Sequence, residues 1–170
     1  MTVDGQKNKN MDIGLNNLAA VASNKPGFVP VVVNGRPLKS INQYYNKKRA
    51  SLQSQLGQKA TSLKISILTD KRNRKVLHEL HKASRKIIDS LVLEEIGTLV
   101  IGKNPQWKKE INIGKKNNQN FVSIPHAQFV SMLAYKAQLV GIQVCVTEES
   151  YTSKCSFLDL EPIQKQEVYL

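Results

Sequence analysis

The sequence predicts an α/β fold in which antiparallel strands come first, a basic helical pair follows, and a strand–helix–strand unit comes last. Three observations carry this. Strand-like runs at Leu18–Ala22 and Phe28–Asn34, the second β-branched, are broken by turn signals within the first 35 residues. Apolar residues between Val76 and Leu91 recur at helical spacing. A helix-patterned stretch between Pro125 and Gly141 separates two short apolar runs, Thr98–Ile101 and Ile142–Val146. With 170 residues, 41% of them apolar, the chain can bury one ordinary core, so a single domain is expected.

The first ten residues, Met1 to Asn10, are polar and read as a lead segment without the hydrophobic region of a secretory signal. Leu18 to Ala22 reads as a short strand, and Pro26-Gly27 marks a turn. Phe28 to Asn34 is β-branched, and Asn34-Gly35 is a hairpin-turn signal. Gln43 to Leu56 is helical in composition and is stopped by Gly57. In the next helix Val76, Leu80, Ala83, Ile87 and Leu91 build one apolar stripe, while Arg74, His78, His81 and Arg85 follow the same spacing on another face. Packing and basic sides are thus separated on one long helix, which Gly97 closes. Thr98 to Ile101 reads as a buried strand. The polar stretch 104–120, around the lone Trp107, reads as a loop. Pro125 suits a helix start, Phe129, Leu133, Ala137 and Val140 form that helix's apolar face, and Gly141 is its C-terminal cap. Ile142 to Val146 is a second buried strand. Strand, helix, strand in this order places two parallel neighbours in one sheet.

Lys and Arg number 25 against 13 Asp and Glu, a formal net charge of +12. Between Gln43 and Lys86 stand twelve basic residues and two acidic ones, so this stretch carries nearly all of the excess. Two solvated helix faces would account for such a pattern, but its density favours a nucleic-acid partner held by phosphate neutralisation. No run approaches the roughly 18 apolar residues a transmembrane helix needs. Two cysteines, Cys145 and Cys155, are too few for a disulfide framework and read as reduced thiols in a cytoplasmic protein.

Asp12, in Met11-Asp12-Ile13-Gly14-Leu15-Asn16-Asn17, lies where a strand meets a turn and can offer a carboxylate to a divalent cation at the sheet's edge; an ordinary turn acid is the alternative. Phosphodiester hydrolysis by two metals needs several such carboxylates. The first parallel strand ends in Gly102, which has no side chain to give, whereas the second runs into Thr147-Glu148-Glu149-Ser150. Carboxylates there stand at the strand end where open α/β sheets build sites, although an exposed acidic turn reads the same way. His78 and His81 share a helix face but have no evident third ligand, so a nucleic-acid face suits them better. His126, at a helix start, reads as a capping or surface residue. Trp107 could stack on a base or anchor its loop. Cys155 lacks a C-x-x-C partner, so zinc is not supported.

Three segments in order resemble one family. Met11 to Ala19 (MDIGLNNLA) is similar to the first RuvC motif of TnpB proteins, the OrfB-type transposon-encoded RNA-guided nucleases related to type V CRISPR effectors. Leu80 to Ile88 (LHKASRKII) resembles their helical segment, and Tyr151 to Ser156 (YTSKCS) resembles the stretch before their zinc ribbon. The resemblance implies an RNase H-like (RuvC) mixed sheet whose three acids bind Mg²⁺ and cut DNA chosen by a guide RNA. Asp12 matches the first acid. The second falls on Gly102, and a family subset instead uses a glutamate on the neighbouring strand. Glu148 and Glu149, 46 and 47 positions beyond Gly102, fit that pattern, Glu148 lying nearer the strand end. Catalytic roles are therefore expected at Asp12, Glu148 and Glu149, and Mg²⁺ ligation at Asp12 and Glu148. Nucleic-acid contacts are expected from Arg72, Arg74, Lys75, His78, His81, Lys82, Arg85 and Lys86.

Departures from the family pattern shape the rest of the expectation. QKNKN precedes Asp12 where apolar residues are expected, and neither the zinc ribbon nor the third acid beyond it is found. Residues 11–170 then read as a partial, incomplete RuvC domain with a basic helical insertion at 43–96. The expected function is a fragment of a transposon-encoded RNA-guided DNA endonuclease, inactive alone, with DNA and guide RNA as partners and no membrane association. A catalytically dead nucleic-acid-binding module is the alternative.

Overall fold

The computed structural model describes residues 8–14, 16–56, 61–102 and 124–147. Strands β1 (Asn8–Ile13) and β2 (Asn17–Ser23) pair antiparallel, with Met11 opposite Val21 and Ile13 opposite Ala19. Gly14 begins the connection between them, and a Cβ there would stand 3.0 Å from the Asn17 carbonyl oxygen. The polar lead was expected to run to Asn10, but the strand begins at Asn8, because ladder hydrogen bonds use the backbone and do not require apolar side chains. After β2 the chain turns at Pro26-Gly27 as expected. Gly27 takes φ 78° and the Phe28 N–H donates to the Lys25 carbonyl at 3.2 Å. Strand β3 (Val31–Asn34) then pairs antiparallel with β2, with a register shift between Asn17 and Ala19 that lets both Leu18 and Ala19 be buried.

The Asn34-Gly35 hairpin does not form. Helix α1 (Arg36–Ser54) starts there, before the expected Gln43. The Asn34 Oδ1 accepts the Arg36 N–H at 2.8 Å, the Gly35 N–H donates to the Asn16 carbonyl at 2.8 Å, and Pro37 sits in the first turn. An asparagine that satisfies a backbone donor two residues on can launch a helix as readily as a hairpin, and Pro37 supplies a preset helical φ. The expected stop at Gly57 lies outside the described residues.

Helix α2 (Leu63–Leu93) has 31 residues, a length of roughly 46 Å. Ser62 caps its start by accepting the Ile65 N–H. Gly97 does not close it. Glu95 takes the left-handed conformation (φ 53°), and Ile96 and Glu95 donate to the Leu91 and Val92 carbonyls, both at 3.0 Å. This is a Schellman closure built without glycine, with the buried Ile96 as its apolar anchor. Lys25 ties this end to the β2–β3 turn through Glu94, at 2.7 Å.

Strand β4 (Thr98–Gly102) follows, then helix α3 (His126–Leu139) and strand β5 (Gln143–Thr147). Gly141 closes α3 as expected, with φ 77° and the Ile142 N–H on the Ala137 carbonyl. The five strands order β3-β2-β1-β4-β5, with β4 parallel to both β1 and β5. The expected mixed α/β sheet is present, three strands meandering and three running in one direction.

All three helices contribute to a buried cluster on one face of this sheet. Met11, Ile13, Val21, Leu99 and Ile101 meet the α2 stripe of Val76, Leu80, Ala83, Ile87 and Leu91, together with Phe129, Leu133 and Ala137 of α3. Val140, expected in that stripe, is 45% exposed, and Met132 is buried. Val140 is the cap residue itself, so the closing turn carries it away from the packed face. Strand alternation sends Asp12, Ala20, Val32, Val100, Cys145 and Thr147 to the opposite face. No described helix is long and apolar enough to cross a membrane.

Candidate nucleic-acid interface and acidic sheet edge

Asp12 stands between Met11 and Ile13, which are 1% and 2% exposed, so the strand's alternation turns its carboxylate away from the core into solvent. The parallel register sets Met11 beside Ile101, which makes Gly102 the next position across from Asp12; Gly102 is in turn beside Thr147. The carboxyl ends of β1, β4 and β5 therefore form one edge. Asp12 and Thr147 lie two strand spacings apart, about 9.6 Å, and the glycine between them projects no side chain. Glu148 and Glu149 lie outside the described residues, as do Trp107 and Cys155.

The turn after Asp12 is pinned to the start of α1. Lys39 Nζ donates to the Asn16 Oδ1 at 2.6 Å, and the Asn16 carbonyl accepts the Gly35 N–H. The Asp12 carboxylate has no hydrogen-bond or ion-pair partner among the described residues. An exposed, uncommitted carboxylate is the type of donor Mg²⁺ takes, since that ion prefers oxygen ligands and retains several waters. Among the described residues no group of three His, Cys, Asp or Glu could hold a metal, and His78 and His81 gain no third partner.

The basic residues of α2 divide by burial. Arg74, Lys75, His78, His81, Lys82, Arg85 and Lys86 are exposed. Lys82 pairs with Glu79 at 3.4 Å and Arg85 with Asp89 at 2.9 Å, solvated contacts that leave both cations available to a polyanion. His78, His81, Lys82, Arg85 and Lys86 line an open cleft of about 880 Å³ whose other wall is Leu18, Val33, Pro37 and Leu38.

Arg72 is placed differently. Its Nε donates to the Oδ1 of buried Asn42 on α1 at 2.8 Å, a second nitrogen reaches the Asn73 Oδ1 at 2.9 Å, and the guanidinium lies 5.7 Å from the Tyr45 ring centre. Burial lowers its pKa from the ordinary arginine value, with Tyr45 opposing. Arg72 therefore joins the two helices as well as carrying charge.

Lys136 was not singled out by the sequence. From α3 its Nζ donates to the His81 carbonyl at 2.9 Å and to the Ser84 Oγ at 2.7 Å, holding α3 against the basic helix. Burial lowers its pKa first, the Arg85 charge adds to this, and Asp89 opposes. Nothing in local spacing marks the one lysine of this helix for this role.

Comparison with known proteins gives two family matches. A model described as "Probable transposase" (OrfB_IS605) matches residues 2–108, more than half of the chain. One described as "Cas12f1-like, TNB domain" matches residues 126–166. In fold the chain is similar to a cryo-EM structure of a Cas12f1–sgRNA–target DNA complex, at 19% identity and a TM-score of 0.63, over 91% of this chain and 39% of that one. It is also similar to a cryo-EM structure of a CRISPR-Cas12f ternary complex, at 20% identity and a TM-score of 0.68, over 94% of this chain and 33% of that one. The chain thus spans between a third and two-fifths of the length of these solved chains. No curated protein matches it.

Proposed function

The chain belongs to the OrfB_IS605 transposase family, and from that premise we propose that it is a nucleic-acid-holding segment of an RNA-guided, Mg²⁺-dependent DNA endonuclease. The observation that carries this reading is the placement of Asp12 on the sheet's open face, at the carboxyl-end edge shared with Gly102 and Thr147. Glu148 follows Thr147 directly in the sequence and is the second carboxylate of this reading, with Glu149 as its alternate. Asp12 and Glu148 would hold Mg²⁺, which when bound supplies an activated water and neutralises charge at the scissile phosphate.

The remaining work falls to the chain's cations. Arg74, Lys75, His78, His81, Lys82, Arg85 and Lys86 bind phosphates of guide RNA and target DNA, while Arg72 fixes the helix that presents them. Such contacts give affinity without sequence preference, and the choice of target belongs to base pairing. The nuclease-like unit extends over residues 11–170, with the helical pair inserted between β3 and β4. On this reading the chain alone binds and does not cut, because Asp12 and Glu148 supply two of the family's three acids and no residue of the sequence matches the third, while two-metal hydrolysis needs several carboxylates.

The test combines binding and cleavage on one labelled DNA. We expect salt-dependent binding and no Mg²⁺-dependent cleavage by the 170-residue chain. Robust cutting that disappears in Asp12→Ala would overturn the inactivity, and affinity that does not change with salt would overturn the phosphate contacts. The bare Gly102 in the central strand also favours a second reading, a binding module that has lost its metal. Magnesium titration separates the two: heat of binding weakened in both Asp12→Asn and Glu148→Gln supports a metal edge, and none in the parent chain supports the module.

A further inference from the structure

Away from the sheet, the far end of the helical pair forms an open cleft of about 290 Å³ between α1 and α2. Its floor is apolar and includes Tyr44, 58% exposed, and Ile67, 45% exposed. Its rim is cationic: Lys48, Lys64 and Lys71 are all exposed, and among the described residues no carboxylate lines it. None of these lysines has an ion-pair partner among the described residues. An exposed aromatic ringed by three unpaired ammonium groups suits a ligand that is flat and apolar at its centre and anionic at its margins.

We propose that this cleft receives an unstacked base of a single-stranded nucleic acid, with Tyr44 as the stacking platform and Lys48, Lys64 and Lys71 as phosphate contacts. Rings and phosphates alternate along such a strand, matching the floor and the rim, whereas a duplex keeps its bases stacked inside and offers the floor nothing. An acidic peptide would satisfy the rim and leave the floor wet. The cleft is continuous with the basic face already described. Tyr44 and Lys71 also line the adjoining cleft with Lys75, and Lys75 lines the next with His78. A strand seated at Tyr44 can therefore run along α2 toward Lys82 and Lys86. The assignment rests on the nucleic-acid reading above and adds to it a strandedness and a site.

Anisotropy titrations of the full 170-residue chain against fluorescein-labelled oligo-dT, oligo-rU and a blunt duplex of equal length test it. Tyr44→Ala is expected to weaken single-strand binding roughly tenfold, to leave duplex binding unchanged, and to be rescued by Tyr44→Phe. Lys71→Gln should flatten the single-strand salt dependence by about 0.7 in log–log slope. The tighter of oligo-dT and oligo-rU identifies the strand as DNA or RNA. The pocket alone falls if the parent chain binds and Tyr44→Ala binds single strands equally well, or loses duplex to the same extent. Both readings fall if the parent chain binds none of the three. Oligo-glutamate binding that shows the same Tyr44 dependence would overturn the assignment to nucleic acid.

Discussion

Arg72 and Lys75 are alike in sequence and different in what they touch. Arg72 satisfies the Oδ1 of Asn42, a residue 1% exposed whose Nδ2 has no hydrogen-bond partner among the described residues. Arg72→Ala would leave a buried carbonyl oxygen unpaired, and should lower the unfolding free energy by about 1–3 kcal/mol in urea titration. Lys75→Ala should change stability by less than about 0.5 kcal/mol and should instead reduce the salt dependence of binding. Lys136 is the second structural cation. Losing its bonds to the His81 carbonyl and Ser84 Oγ in Lys136→Met should cost about 1–2 kcal/mol by the same measurement. Equal stability of Arg72→Ala and the parent chain would show that the guanidinium is solvated and that the helix pair does not depend on it.

Helix α2 was legible where its apolar residues face the main core and illegible where they do not. The stripe from Val76 to Leu91 lies under the sheet, and Leu80→Ala should cost about 2–5 kcal/mol through the cavity it leaves. Of the apolar residues before Val76 only Ile65 is buried and Leu68 half-buried, and Thr69 and Arg72, bonded to Tyr45 and Asn42 of α1, interrupt the stripe, so spacing gave no start. The two helix ends carry a further contrast. Gly141 and Glu95 occupy equivalent left-handed closing positions, yet only the glycine announces itself. Nothing lies within 4 Å of a Cβ built on Gly141, so Gly141→Ala should cost about 1 kcal/mol from backbone strain alone, read as a lowered urea midpoint.

At the scale of the molecule, the core formed by the described residues lies on one face of the sheet, which leaves Asp12 on the other face and the long helical pair beside the core. The +12 charge is concentrated on that pair, away from Asp12. Binding should therefore lose affinity steeply between low and physiological salt, with each phosphate neutralised on a single strand adding about 0.7 to the log–log slope. Asp12→Ala should leave both this slope and the melting temperature unchanged, because the side chain is exposed and makes no contact among the described residues. A melting temperature that falls in Asp12→Ala would assign the carboxylate a structural role.

The sequence by itself determined the α/β class, the helical stripe, the turn at Pro26-Gly27, the cap at Gly141 and the position of Asp12 at a strand end. Each is set by residues within a few positions of one another, where spacing and backbone preference suffice. Tertiary structure decided the rest. Asn34-Gly35 opens a helix because Asn16, in the turn between β1 and β2, takes the Gly35 N–H. Arg72 is held inward because Asn42, thirty residues earlier, waits for a donor. Asp12 comes level with Gly102 and Thr147 because three strands far apart in the chain share one parallel register. A side chain's partners are chosen by contacts between distant segments, and local pattern carries no record of them.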